Sequence, residues 1–298
     1  MTKIYGDKVV VDNLNFSVEE GEIFGLVGAN GAGKSTLMKM ICGLCNISCG
    51  EVFVCGKSLN NDFENAIINL GGIVEIPQFY LYMTGYQNLK FFAKLYDDIK
   101  KDKIMEVAKL VGLNLRINEK VSKYSLGMKQ RLGIAQALLH EPKILILDEA
   151  TNGLDANGIR EIKQFLKKIA KEKGTAIMIS SHILGIIEDL CDKVCIISKG
   201  KIVDIKTINE LKKQSGFGTH FIKTNSPNFA GKILREQFGL SIKIQDDKVL
   251  FNLNDANLLA EIISTLTSNN VPILGAGETD YSLEDAYLDV VGINNNIS

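Results

Sequence analysis

Gly28-Ala29-Asn30-Gly31-Ala32-Gly33-Lys34-Ser35-Thr36 follows the apolar run Ile23–Val27 and opens a helical pattern over 35–42. The stretch fits G-x-x-x-x-G-K-[ST] in full. Its glycines let successive backbone N–H groups converge on an anion, and the helix that follows offers its positive end to the same anion. Lys34 supplies a mobile charge for terminal phosphates, and the Ser35 hydroxyl is a hard oxygen ligand suited to Mg²⁺. Gly28, Asn30, Gly31, Gly33, Lys34, Ser35 and Thr36 are therefore expected to cradle a nucleotide.

Downstream, Ile144-Leu145-Ile146-Leu147-Asp148-Glu149 is an apolar strand pattern that ends in two carboxylates. In a parallel sheet, ligands collect at the carboxyl ends of the strands. Asp148 is then placed to help hold Mg²⁺ through water, and Glu149 to polarise an attacking water as the base of a hydrolysis.

Around these two stretches, strand patterns at 9–11, 14–18, 23–27, 51–54, 143–147, 175–180 and 193–198 are read with intervening helices. That alternation predicts an α/β fold with a parallel sheet covered by helices. A helical insert over about 84–140 interrupts the plan, opening with Thr84 and Gln87 at capping-box spacing. Ile162, Phe165, Leu166 and Ile169 line one face of an amphipathic helix over 160–173, closed by Gly174. A pattern break at 214–218 divides the chain into an expected first domain, 1–214, and a smaller one, 215–298. The second reads strand, helix, strand, strand, helix, strand, an α+β order similar to the ferredoxin-like split βαβ.

With 298 residues, 46% hydrophobic and 23% charged, the chain has the make-up of an ordinary globular protein. Its net charge of −1 gives no electrostatic case for nucleic acid. No apolar run reaches the ~20 residues of a bilayer span, and Met1-Thr2-Lys3-Ile4-Tyr5 lacks the apolar core of a signal peptide. The expected location is cytoplasmic. Cys42, Cys45, Cys49 and Cys55 crowd together, but they lack the paired spacing of a zinc site and read as small buried hydrophobes.

Tyr124-Ser125-Leu126-Gly127-Met128-Lys129-Gln130-Arg131 begins ahead of a helix, with Ser125 lying 23 residues before Asp148. The stretch resembles the signature loop of the ABC ATPases, with Leu126 and Met128 departing from its usual Gly and Gln. Asn152-Gly153-Leu154-Asp155 resembles the D-loop, Ser181-His182 the switch histidine, and Tyr5 the aromatic that stacks on adenine. The resemblance covers about residues 3–213. It implies a P-loop fold of ABC type, with a parallel core sheet, an antiparallel β subdomain and the helical insert. It implies ATP with Mg²⁺, a catalytic group of Lys34, Glu149 and His182, and a head-to-tail homodimer enclosing ATP. In that dimer Ser125 and Gly127 serve the partner's nucleotide, and Asp155 of the D-loop is likewise expected to bind the nucleotide. It also implies a membrane-spanning permease, through which the chain reaches the inner face of the membrane. Such chains usually carry a further strand before the Tyr5 segment, whereas Tyr5 here follows only four residues.

Most of these ATPases place a Gln after the strand that leads into the insert. Leu70-Gly71-Gly72-Ile73-Val74-Glu75-Ile76-Pro77 puts Glu75 there, with Gln78 the rival three residues on. Glu75, the signature loop and Phe79-Tyr80…Thr84-Gly85 resemble the bacitracin-export and lantibiotic-immunity ATPases. That resemblance makes Glu75 a metal ligand beside Ser35 and Asp148, and makes an antimicrobial peptide the expected cargo. Another drug or lipid exporter, or a non-transport ABC protein, is the alternative. Tyr281-Ser282-Leu283-Glu284-Asp285-Ala286-Tyr287-Leu288 resembles the ending of export ATPases, with Ser282 read as the cap of a short helix.

Overall fold

The computed structural model describes residues 1–96, 99–214, 220–253, 257–278, 283–284 and 287. The chain separates into two compact units, 1–208 and 209–298. The boundary drawn from sequence, 214/215, lies at the end of the helix Ile208–Gln214, and the division between the two units lies at that helix's first residue. The expected linker at 214–218 and the cap at Ser282 lie outside the described residues, apart from Gln214 at the end of that helix.

The first unit is organised by a six-stranded sheet in the order Lys201–Thr207, Lys193–Ser198, Ile23–Val27, Ala176–Ser180, Ile144–Asp148, Leu70–Ile73. The first pair is antiparallel and the remaining neighbours are parallel. Ile23–Val27 and Ala176–Ser180 are buried at every position, as strands covered on both faces must be. Phe24, Leu26, Leu37, Met38, Ile146 and Ile197 tie this sheet to the helix Lys34–Ile41. Two small antiparallel ladders, Lys3–Tyr5 with Lys8–Val11 and Phe53–Val54 with Lys57–Ser58, sit in the N-terminal part of the unit.

Three α-helices, Gly85–Ala93, Lys101–Leu110 and Leu126–Ala137, form the interruption expected over 84–140. The first starts on the capping box: Thr84 Oγ1 accepts the Gln87 N–H at 3.1 Å, and Gln87 Oε1 accepts the Thr84 N–H at 2.9 Å. The amphipathic helix spans Ala156–Lys173, a turn earlier than its apolar period indicates, and ends at Gly174 with φ 67°.

Two strand expectations fail. Residues 14–18 join no ladder, because Leu14 and Phe16 turn into the core as single anchors on an irregular path. The strand expected over 51–54 keeps only Phe53–Val54. Leu70–Ile73 forms the strand expected ahead of Glu75, and Lys201–Thr207 and the helix Leu184–Leu190 are additional elements.

In the second unit, His220–Thr224, Pro227–Phe238, Ile242–Gln245, Lys248–Phe251, Asn257–Ser268 and Ile273–Glu278 follow one another as strand, helix, strand, strand, helix, strand. Numbered in that order, the strands lie 2-3-1-4 in one antiparallel sheet, the ferredoxin-like arrangement. Ile222, Leu234, Val249, Phe251, Ile262 and Leu266 fill its core.

Candidate nucleotide-hydrolysis site

The phosphate loop leaves the middle of the sheet at Val27 and closes on the helix Lys34–Ile41. Two glycines fix its path. A Cβ on Gly28 would lie 2.3 Å from the Ile197 carbonyl, so only glycine lets the loop start so close to the neighbouring strand. Gly33 stands at φ 108°, and a Cβ there would meet the Val10 carbonyl at 2.9 Å. Gly33 is also the helix N-cap and brings no side chain to the first turn. The N-terminal N–H groups of that helix are thus left without a side-chain cap, an arrangement that fits phosphate oxygens. Lys34 Nζ folds back on the loop, donating to the Gly28 carbonyl at 2.6 Å and the Ala29 carbonyl at 3.1 Å. Burial lowers the pKa of this ammonium, while the negative charges of Glu149 and Asp148 work against that shift. Ser35 and Thr36 are half-buried, and Asn30 and Gly31 are exposed at the loop tip.

Asp148 is the buried last residue of its strand and pairs in register with Ser180 on the next strand. The Ser180 hydroxyl donates to Asp148 Oδ1 at 2.6 Å and accepts the Glu149 N–H at 3.0 Å. Glu149 adopts φ 52°, which turns its side chain away from the strand direction. Both its oxygens are held: Oε1 lies 2.6 Å from His182 Nε2, and Oε2 accepts from Asn152 Nδ2 at 2.8 Å. Gln130 Nε2 reaches the Glu149 carbonyl at 3.5 Å. The structure thus brings Glu149 and His182 together. It adds Ser180, Asn152 and Gln130, which sequence reasoning did not single out for this role. A serine closing the strand just before Ser181-His182, opposite a strand ending in Asp148, was the available signal for Ser180.

The signature stretch forms the start of the helix Leu126–Ala137, with Ser125 as N-cap accepting the Met128 N–H at 3.2 Å. A Cβ on Gly127 would stand 2.8 Å from the Gly153 carbonyl, and one on Gly153 would stand 2.6 Å from Leu126 Cδ2. The two loops are therefore in direct contact. Asp155 caps the helix Ala156–Lys173, accepting the Gly158 N–H at 2.9 Å. Tyr5 ends the strand Lys3–Tyr5 half exposed, with the Lys3 ammonium 4.7 Å from its ring centroid. A hydrogen bond with Cys45 is the main reason its phenol pKa is raised. Among the described residues, no side-chain hydrogen bond joins Ser125, Asp155 or Tyr5 to the phosphate loop within this chain.

Glu75 follows the strand Leu70–Ile73 at φ 71°, and its Oε1 lies 2.5 Å from Lys39 Nζ. Gln78 is exposed, and Pro77 packs where a Cβ on Gly133 would be 2.9 Å away, against the signature helix. Ser35, Asp148 and Glu75 supply one hydroxyl, one buried carboxylate and one exposed carboxylate. Among the described residues no three His, Cys, Asp or Glu side chains form a cage for a metal. That donor set suits Mg²⁺, which is commonly held by one or two carboxylates, water and the substrate's own phosphates.

A family model for ABC transporters matches residues 11–152. An uncharacterised ABC transporter ATP-binding protein of Bacillus subtilis, YhcH, is 41% identical over 98% of this chain and 94% of its own. This chain belongs to the ABC transporter ATP-binding family. The bacitracin transport ATP-binding protein BcrA of Bacillus licheniformis is 37% identical over 98% of this chain and 95% of its own length. A solved ATP-binding subunit of an ABC transporter superposes with a TM-score of 0.66 at 30% identity, covering 72% of this chain and 90% of that one. As an ABC ATPase, this chain binds and hydrolyses ATP, and no helix among its described residues is long and apolar enough to cross a membrane.

Proposed function

We propose that this ABC ATPase couples ATP hydrolysis to the export of an antimicrobial peptide of the bacitracin or lantibiotic type through a separate permease. The observation that carries the reading is the full-length likeness to a bacitracin transport ATP-binding protein, which spans both units of the chain. Glu75 supports it, since a carboxylate stands where most ABC ATPases have Gln.

Within this reading, the loop from Gly28 to Thr36 binds the phosphates, with Lys34 leaving its two carbonyls for the terminal ones. Glu149 accepts a proton from the attacking water, held in aim by Asn152 and His182, and His182 faces the γ-phosphate. Ser35, Asp148 and Glu75 would hold Mg²⁺, which would neutralise negative charge on the phosphates during transfer. Two copies associate head to tail, so that Ser125 and Gly127 of one close the nucleotide site of the other, with Asp155 also at the nucleotide and Tyr5 against adenine. Residues 1–214 act as the ATPase domain and 215–298 as an accessory domain. The permease holds the chain at the inner face of the membrane, and nucleic acid is no partner.

Deleting the gene and measuring susceptibility to bacitracin and several lantibiotics tests the cargo. Increased susceptibility to at least one is expected, and unchanged susceptibility to all would overturn the peptide-export reading while leaving the ATPase intact. For the metal site, Glu75→Ala is expected to impair ATPase activity and resistance. Impairment by Gln78→Ala alone would move the role to Gln78.

A further inference from the structure

Lys39 lies on the helix Lys34–Ile41, four residues beyond Ser35, so the two side chains occupy one helix face a single turn apart. Its ammonium meets the Glu75 carboxylate at 2.5 Å. These partners are 36 positions apart in sequence, and Glu75 reaches the pair from a backbone at φ 71°. The hydrogen bond to Glu75 is the largest influence raising the Lys39 pKa, with burial opposing it. Tyr5 and Cys45 are the other titratable groups acting on Lys39. A neutral Gln at position 75 would give Lys39 no charge to answer. The pair therefore belongs to the same departure that puts a carboxylate there.

We propose that Lys39, one helical turn beyond Ser35, is a positioning residue that holds Glu75 and competes with the divalent cation for its carboxylate. The idea rests on Glu75 being a metal ligand. A cation entering beside Ser35 and Asp148 gains Glu75 Oε1 only by displacing the Lys39 ammonium. The release leaves Lys39 cationic and no covalent bond changes. Because Glu75 and Lys39 are both partly exposed, the competition is modest and reversible. It sets the cation concentration at which the site fills, independently of nucleotide recognition by the loop.

The test is a Mn²⁺ titration of the ADP-loaded full chain, followed by electron paramagnetic resonance. The proteins compared are wild type, Lys39→Met, Lys39→Arg, Glu75→Gln, Glu75→Ala and the Lys39→Met/Glu75→Gln double variant. Metal-free binding of a fluorescent ADP reports whether each variant keeps its fold and phosphate loop. Lys39→Met is expected to tighten Mn²⁺ binding by about two- to fivefold, the range of an exposed ion pair. Lys39→Arg should stay near wild type, and Lys39→Met should have no effect once Glu75 is Gln. Unchanged or weaker Mn²⁺ binding in Lys39→Met, with Glu75→Ala itself weakening it, overturns the role of Lys39 alone. No change in Glu75→Ala, added to the set because Gln keeps a carbonyl oxygen that can still meet the cation, overturns the metal assignment of Glu75, a distinct pattern that leaves the export reading standing.

Discussion

Ser180 donates its hydroxyl to Asp148 at 2.6 Å while its oxygen accepts the backbone N–H of Glu149 at 3.0 Å, so one buried side chain orients both carboxylate residues. Ser180→Ala removes a partner from a buried charge and leaves an N–H unanswered. A loss of about 1–3 kcal/mol is expected, together with a fall in kcat, whereas Ser180→Thr keeps the hydroxyl and should recover much of both. Urea unfolding and steady-state ATPase rates check the pair of variants.

Glu149→Gln keeps the size of the side chain and removes its basicity. It should retain ATP binding, lose turnover by at least about a hundredfold and accumulate an ATP-bound dimer on gel filtration. Normal turnover would remove Glu149 as the base. Asn152→Ala, which frees one Glu149 oxygen, should lower kcat while leaving KM for ATP near wild type.

Gly33→Ala combines φ 108° with a Cβ at 2.9 Å from the Val10 carbonyl. Strain of about 1–3 kcal/mol is expected, concentrated where the helix meets the phosphates. Calorimetric ATP titration should show weakened binding at temperatures where circular dichroism still reports a folded chain.

Glu141 lies between Lys103 at 2.7 Å and Lys173 at 2.8 Å, and these hydrogen bonds pull its pKa down to about 2. A carboxylate whose folded pKa is depressed stabilises the fold above its unfolded value of about 4.3 and loses that contribution as pH falls toward 2. The side chain is 57% exposed, so solvent screening keeps the effect under about 1 kcal/mol. The gap in urea-unfolding free energy between wild type and Glu141→Gln should be present at pH 7 and shrink steadily below pH 4.5. A gap that does not vary with pH would exclude the ion-pair origin.

Burial pushes the Cys42 thiol up to about 12 and raises Cys191 and Cys195 as well, while Cys49 and Cys55 are exposed. Brief iodoacetamide treatment at pH 7.5 should label Cys49 and Cys55 first, read by peptide mass spectrometry.

The features legible in the sequence are those written in local spacing. The phosphate loop, the Thr84–Gln87 box, the apolar stripe from Ile162 to Ile169 and the strand–helix order after His220 all belong to this class. Features that depend on register or on distant pairing were hidden. Ser180 matters because it stands opposite Asp148, and that alignment is set by the whole sheet. Lys201–Thr207 escaped because an edge strand with a register shift has no clean alternation. Residues 14–18 misled in the opposite direction, since Leu14 and Phe16 alternate like a strand while anchoring an irregular segment.

Gly127 and Gly153 leave no space for even a methyl group between the loops that carry them. Gln130, one turn further along the same helix, touches the carbonyl of Glu149. A rotation of the helix Leu126–Ala137 cannot be absorbed by slack between these parts. Such a rotation is expected to reach Asn152 and the carboxylate that Asn152 holds. The helix that starts at Leu126 is thus packed directly on the loop that holds Glu149, and added bulk at position 127 should act as a wedge between them.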